Sequence, residues 1–281
     1  MASELDGRVI LITGATDGLG RGVARELATA GATVLLHGRD AERGRAVREE
    51  IERETGSDRL GWYQADLSSL DEVRDLAARV EREQPRLHVL VNNAGIGTAG
   101  PGDGRRVESR DGLELRFAVN YLAGYLLTRQ LEPLLVRSTP ARIVNVSSAG
   151  QAPIDFDDVQ LERAYSGVQA YCQSKLAQIM FTFDLAERLQ GTGVTATCLH
   201  PATFMPTKMV RAAGTTPVSD LEDGVRATTR LVAGVELEDA TGRYFNGLRE
   251  ARANGQAYDP DARRRLRDLS DRLTGLTPVS A

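Results

Sequence analysis

The chain reads as a single-domain α/β protein with a doubly wound parallel sheet and helices on both faces. Three observations predict this. Short apolar runs rich in Val, Ile and Leu alternate along the chain with longer stretches of helical period. The runs are continuously apolar, as strands buried on both faces require. The length of 281 residues, with 41% hydrophobic and 26% charged composition, is sufficient for one core, and no repeat or linker interrupts it.

The elements follow in order. "RVILIT" over 8–13 is the first strand and is followed by a helix over 18–30; "TVLLHG" over 33–38 is the second, followed by an Arg- and Glu-rich helix ending near 55. A strand over 60–65, a helix over 69–84, "LHVLVNN" over 87–93 and a long helix over 110–137 continue the alternation. "RIVNVSS" over 142–148, a helix carrying Tyr171 and ending near 190, and "VTATCLH" over 194–200 complete it. Three regions depart from this rhythm. Residues 149–169 form a polar loop with Pro153, Asp155, Asp157 and Asp158, and residues 201–218 are rich in Pro, Thr and Met. Both follow strand C-termini, where open α/β sheets bind ligands, so they are expected to form the substrate loops. Phe204, Met205, Met209 and Val210 are expected either as an apolar lid over a lipophilic substrate or as packing onto the sheet. Residues 258–275 read as an Arg-rich terminal helix with a solvated, charged face.

Composition narrows the function classes. A net charge of -4 and a pI near 5.6 provide no attraction for nucleic acid or an anionic membrane face. The start, "MASELDGRVILITG", lacks the basic and long apolar segments of a signal peptide, so a cytoplasmic location is expected. The longest stretch without a charged residue, Leu189 to Thr207, contains two glycines and two prolines, and no membrane span is expected. Cys172 and Cys198 match neither a disulfide framework nor a zinc spacing. His37, His88 and His200 each flank a strand, so no metal site and no Ser-His-Asp triad is expected. Only Lys175 and Lys208 are lysine among 35 basic residues, a bias that points to a GC-rich bacterial genome.

Chemistry enters at the first strand's end. In "TGATDGLGRGVA" (13–24), Gly14, Gly18 and Gly20 permit a tight turn, a close backbone approach to a pyrophosphate and an anion at the helix N-terminus. Gly14, Thr16, Asp17, Gly18, Leu19 and Gly20 are therefore expected to bind a dinucleotide. An NAD site would carry an acid after the second strand; here Arg39 stands where a 2'-phosphate would sit, which favours NADP(H) over NAD(H). The alternative is an exposed Arg39 paired with Asp40 or Glu42. Further along, "VNNAG" (91–95) and "NVSSAG" (145–150) follow strands at the same sheet edge, and "VNYLAG" (119–124) lies in the helix between them. In "AYCQSKLAQIMFTF" (170–183), Tyr171 and Lys175 share a helix face one turn apart, a spacing that any amphipathic helix could also produce.

Taken in order, TGxxxGxG, NNAG, the helix asparagine, SS and YxxxK resemble the short-chain dehydrogenase/reductase family over nearly the whole chain. "RIVNVSS", the long loop before Tyr171 and "GVTATCLHP" are similar to its retinol-dehydrogenase-like branch. The resemblance implies a Rossmann fold and an NADP(H)-dependent oxidoreductase acting on a lipophilic ketone, aldehyde or alcohol. It further implies Tyr171 as general acid/base, Lys175 as its electrostatic partner, Ser148 as the carbonyl-binding hydroxyl and Asn120 as a proton-relay residue. A neighbouring ammonium and an oxidised nicotinamide would lower the tyrosine pKa from its ordinary value near 10. Tyr171 and Lys175 also count among the cofactor contacts, with Asn93, Ala94 and Gly95 on the adenosine ribose side and Asp66 and Leu67 after the third strand. For Asp66 the alternative is capping the helix over 69–84. The chain departs from the family's Pro-Gly after the sixth strand by having Ala202, which favours Pro201 over Thr203 and Thr207 as a cofactor contact. Relatives associate through the long helices near 110–137 and 171–190, but monomers also occur in this branch, so homodimer, homotetramer and monomer stay open. Two other functions stay open as well: an NADP-binding sensor or scaffold without turnover, and an epimerase or dehydratase using transient oxidation.

Overall fold

The computed structural model describes residues 5–102 and 104–276. The six apolar runs form β1 (Val9–Ile12), β2 (Thr33–Gly38), β3 (Leu60–Gln64), β4 (Val89–Asn92), β5 (Ala141–Val146) and β6 (Val194–His200). Between them lie α1 (Gly18–Thr29), α2 (Ala41–Thr55), α3 (Leu70–Glu83), α4 (Ala123–Arg137) and α5 (Gly167–Arg188). Their starts follow local chemistry. Asp40 caps α2 by accepting from Arg43 N, and Ser69 caps α3 by accepting from Glu72 N. Asp66 is therefore not the cap of α3.

The strand order is β3-β2-β1-β4-β5-β6-β7-β8, parallel except for the last pair. The chain winds outward from β1 to β3, returns to the centre and winds the other way from β4, so the loops after β1 and β4 border the crevice at the switch point. Alternating side chains explain the apolar strands: Ile10 and Ile12 join Val34, Leu36 and Val91 in the core on one face. Leu11, Leu35 and Leu90 join the core on the other.

Four elements lie outside the expected set. The 201–218 region contains a short helix, α6 (Lys208–Ala212), and is followed by α7 (Leu221–Ala233), packed on α1. Two strands extend the sheet, β7 (Arg243–Asn246) and β8 (Arg249–Glu250). The long helix expected over 110–137 begins later. Glu108 and Glu114 pair in an isolated bridge, and a π-helical turn, Phe117–Leu122, leads into α4.

The terminal helix, α8 (Pro260–Thr274), has the expected solvated charged face, with Asp261, Arg264, Arg265, Asp268 and Arg272 exposed, and also a buried one. It docks on α4 and α5 with Leu266 in the core. Tyr121 and Ser270 share a hydrogen bond at 2.7 Å, and the Tyr125 hydroxyl donates to Asp271 at 2.6 Å. Arg263 and Arg267 pair with Glu187 and Asp184 of α5. Thus α8 covers part of α4 and α5, while Gln130, Pro133, Val136 and Arg137 of α4 stay exposed. Among the described residues no helix is long and apolar enough to cross a membrane, and no group of three or more His, Cys, Asp or Glu gathers to hold a metal.

Candidate active site

The glycine turn after β1 is set by packing. A Cβ on Gly14, whose φ is +67°, would lie 2.9 Å from Ala94 Cα, and one on Gly20 would lie 2.3 Å from the Gly14 carbonyl oxygen. Only glycine fits either place. Asn93 fastens the turn by donating from Nδ2 to the Thr13 and Gly14 carbonyls, while Thr13 Oγ1 accepts from the Asn93 and Ala94 amides. His37 braces it from β2. Its Nδ1 accepts from Gly14 N and its Nε2 lies 3.2 Å from the Ala65 carbonyl; burial lowers its pKa to about 4, so the ring is neutral. Asp17 caps α1 by accepting from Gly18 N at 2.8 Å. Thr16 and Leu19 belong to the same turn, with Leu19 buried.

At the end of β2, Arg39 is exposed and forms no ion pair with Asp40 or Glu42; the Asp40 carboxylate instead accepts from Arg43 N. Asp66, after β3, accepts from Ser68 N and faces Arg110, while Leu67 is buried in the core.

The chemistry-bearing groups gather where β4 and β5 end. Ser148 Oγ accepts from Gly150 N at 3.0 Å, and its carbonyl is held by Gln151 Nε2 and the Tyr244 hydroxyl. The Tyr171 phenol faces it from α5. Burial raises the Tyr171 pKa, and the Ser148 hydroxyl draws it partly back. Lys175 Nζ lies 5.8 Å from the centre of the Tyr171 ring but donates to the Val146 carbonyl at 2.9 Å and to Gln178 Oε1 at 2.8 Å. Burial lowers its pKa to about 7. The Lys175 ammonium is turned to backbone and amide oxygens, and desolvation dominates both groups.

Asn120 sits in the π-helical turn, a register shift that aims its side chain across the cleft. Its Oδ1 accepts from Ile96 N at 2.6 Å, and its Nδ2 donates to the Ile96 carbonyl and Ser174 Oγ. Gly95 keeps open the space between Asn120 and Lys175, since a Cβ there would lie 3.3 Å from Asn120 Oδ1 and 3.6 Å from Lys175 Nζ. Gly150 does the same between Ser148 and Tyr171, where a Cβ would lie 3.5 Å from Ser148 Oγ and 3.7 Å from the Tyr171 ring. Gly95 and Gly150 thus bring the backbone close to Asn120 and Lys175 on one side and to Ser148 and Tyr171 on the other.

After β6, Pro201 is buried, but Thr203 is exposed with its hydroxyl 3.0 Å from His200 Nε2. It is Thr207, capping α6, that lies over the turn, its methyl 3.0 Å from where a Cβ on Gly18 would be. Met205 takes the packing alternative, filling the gap beside Gly224 and Leu19, while Phe204 and Met209 stay exposed. Sequence reasoning weighed Thr207 only as a less favoured cofactor contact and gave Thr13, His37, Gly150, Lys208 and Tyr244 no role in this region. For Thr207 the spacing from Pro201 offered a signal; for Tyr244, on an unassigned strand 96 positions from Ser148, there was none.

Fold and site together define a doubly wound nucleotide-binding α/β protein with a Ser, Tyr and Lys constellation at its switch-point crevice. The family model for short chain dehydrogenase matches residues 8–217. The chain is 37% identical to human retinol dehydrogenase 13 over 296 residues, spanning 99% of this chain and 88% of that protein. It is 36% identical to human retinol dehydrogenase 11, over 97% and 87% of the two chains. Among solved structures it is similar to an uncharacterised protein from Mycobacterium paratuberculosis, with a TM-score of 0.80 and 30% identity over 96% and 94% of the chains. A short chain dehydrogenase from Escherichia coli CFT073, solved in complex with NADPH, gives a TM-score of 0.72 and 28% identity over 89% and 100%. The chain belongs to the short-chain dehydrogenase/reductase family, in its retinol-dehydrogenase-like branch.

Proposed function

We propose that the protein is an NADP(H)-dependent oxidoreductase that interconverts a lipophilic ketone or aldehyde and its alcohol. The observation that carries this reading is the meeting of Ser148, Tyr171 and Lys175 beside the glycine turn of the switch-point crevice. Gly14, Thr16, Gly18, Leu19 and Gly20, with Asp17 through its backbone alone, would hold the diphosphate side of the cofactor, and Arg39 would hold its 2'-phosphate. Asp66 and Leu67 would take the adenine side, Asn93, Ala94 and Gly95 its ribose, and Pro201 and Thr203 the nicotinamide side. When bound, the nicotinamide supplies or accepts the hydride. In reduction, the Tyr171 phenol donates its proton to the substrate oxygen, and Ser148 Oγ donates a hydrogen bond that stabilises the charge developing there. Lys175 holds positive charge near the phenolate that remains, and Asn120 would order the path along which a proton from solvent returns to that phenolate. Exposed Phe204 and Met209, on the segment after β6, favour an apolar substrate. Free Cys172 and Cys198 suit a cytoplasmic setting.

The test is NADPH oxidation against a panel of lipophilic ketones and aldehydes, with Tyr171→Phe alongside. Turnover by the native protein that drops by at least about 1000-fold in Tyr171→Phe, with dinucleotide binding retained, is expected. Equal turnover by a folded Tyr171→Phe protein sinks the mechanism; cofactor binding without turnover across the panel favours a sensor instead.

A further inference from the structure

Of the two lysines in the chain, Lys175 stands among the catalytic groups and Lys208 closes the other end of the cleft. Lys208 is the first residue of α6, a lid helix with no buried residue of its own, so what it touches outside itself sets its position. Three contacts do so. Lys208 Nζ lies 2.8 Å from Asp17 Oδ2. Thr207 covers Gly18, and Met209 Cγ fills the space beside Gly97, 2.4 Å from where a Cβ there would be. The lid thus bridges the crevice, from the glycine turn after β1 to the loop after β4.

The partner of Lys208 is chemically unexpected. Asp17 caps the helix whose N-terminus forms the anion-binding turn, where its carboxylate would oppose an incoming diphosphate. Although partial burial works against ionisation, the Lys208 ammonium and the Gly18 amide hold that carboxyl below the usual range, so it is fully charged at neutral pH. A negative charge has therefore been kept in an anion site, and a cation delivered by the lid lies on it.

We infer that Lys208 is a determinant of cofactor affinity: carried on the lid, its ammonium neutralises Asp17 at the phosphate turn and so couples closure of α6 to dinucleotide binding. This rests on the reading of the turn as an NADP(H) site. Asp17 and Lys208 then act as a unit. Losing Lys208 alone exposes the diphosphate to an uncompensated carboxylate, whereas losing both charges restores near neutrality.

The experiment is titration calorimetry of NADPH into the native protein, Lys208→Gln, Asp17→Asn and the double variant, in low-salt buffer. Lys208→Gln is expected to raise Kd about fivefold, and the double variant to return to within about twofold of native. Lys208→Arg, which keeps the charge, is expected to bind like native. In parallel, tryptic cleavage after the exposed Arg211 in the lid is expected to slow when NADPH is added to native protein but not to Lys208→Gln. Native protein that binds no dinucleotide overturns the cofactor reading and this inference with it. Native binding with an unchanged Kd in Lys208→Gln, or a double variant as weak as Lys208→Gln, overturns this inference alone.

Discussion

Lys175→Met should make the cofactor-free protein more stable relative to native in acid and less so in base, because the native lysine is buried at a cost. Its Nζ is enclosed with a carbonyl and an amide oxygen and no carboxylate, and burial moves its pKa from 10.5 to about 7. A group whose folded pKa is lowered binds its proton more weakly in the folded chain than in the unfolded one. Below about pH 7 both states carry the charge and the penalty is fully present; as the pH rises toward 10.5 the folded state is already neutral, and the penalty is relieved. At roughly 1.4 kcal/mol per pKa unit, the difference amounts to about 5 kcal/mol as an upper bound. Methionine keeps the apolar stem and removes the charge, but it leaves the Val146 carbonyl and Gln178 Oε1 without that donor, a cost of about 1–3 kcal/mol each that does not vary with pH. The pH-dependent part of the difference therefore isolates the ammonium. Thermal unfolding of both proteins at pH 6 and pH 10 should show native protein gaining on the variant by on the order of 10 °C over that range. Parallel stability curves across it would refute the burial argument.

Three further outcomes follow from the geometry. Gly20→Ala drives a methyl against the Gly14 carbonyl and Asn93 Nδ2, at 2.3 and 2.5 Å, so about 1–3 kcal/mol of stability and more than about tenfold in NADPH affinity should be lost, by chemical denaturation and calorimetry. Arg39→Ser should cut kcat/KM with NADPH about tenfold while leaving that with NADH nearly unchanged, since about 1.4 kcal/mol of phosphate contact is removed; equal losses with both cofactors would place Arg39 outside the phosphate site. Asp271→Ala leaves the Arg129 guanidinium and the Tyr125 hydroxyl without their buried acceptor and should cost about 3 kcal/mol in urea unfolding.

The parts legible in the sequence were those whose signal is local. Gly14, Gly18 and Gly20 announce a turn because strand precedes and helix follows, and Tyr171 with Lys175 gains meaning from the strand-end Ser148 before it. β7 was hidden because "RYFN" is four residues long with polar ends, lying between Gly242 and Gly247. α6 escaped because five residues with no buried face carry no period. The charge-rich sequence of α8 reads as solvated, and one face is, yet Ser270, Asp271 and Arg263 find partners on the π-helical turn, α4 and α5 more than 70 positions away. Thr207 and Lys208 belong to the cleft only because the chain folds back over the turn. The state of the Tyr171 and Lys175 pair was equally out of reach, since desolvation depends on what surrounds a group in space.

The α8 seam decides how the helix is held. Its buried bonds, Tyr121 to Ser270 and Tyr125 to Asp271, are satisfied in one register only, so the helix is keyed to its groove and would lose both bonds on sliding by a turn. Tethered to the same chain, a detached α8 re-docks at an effective concentration that no free helix matches.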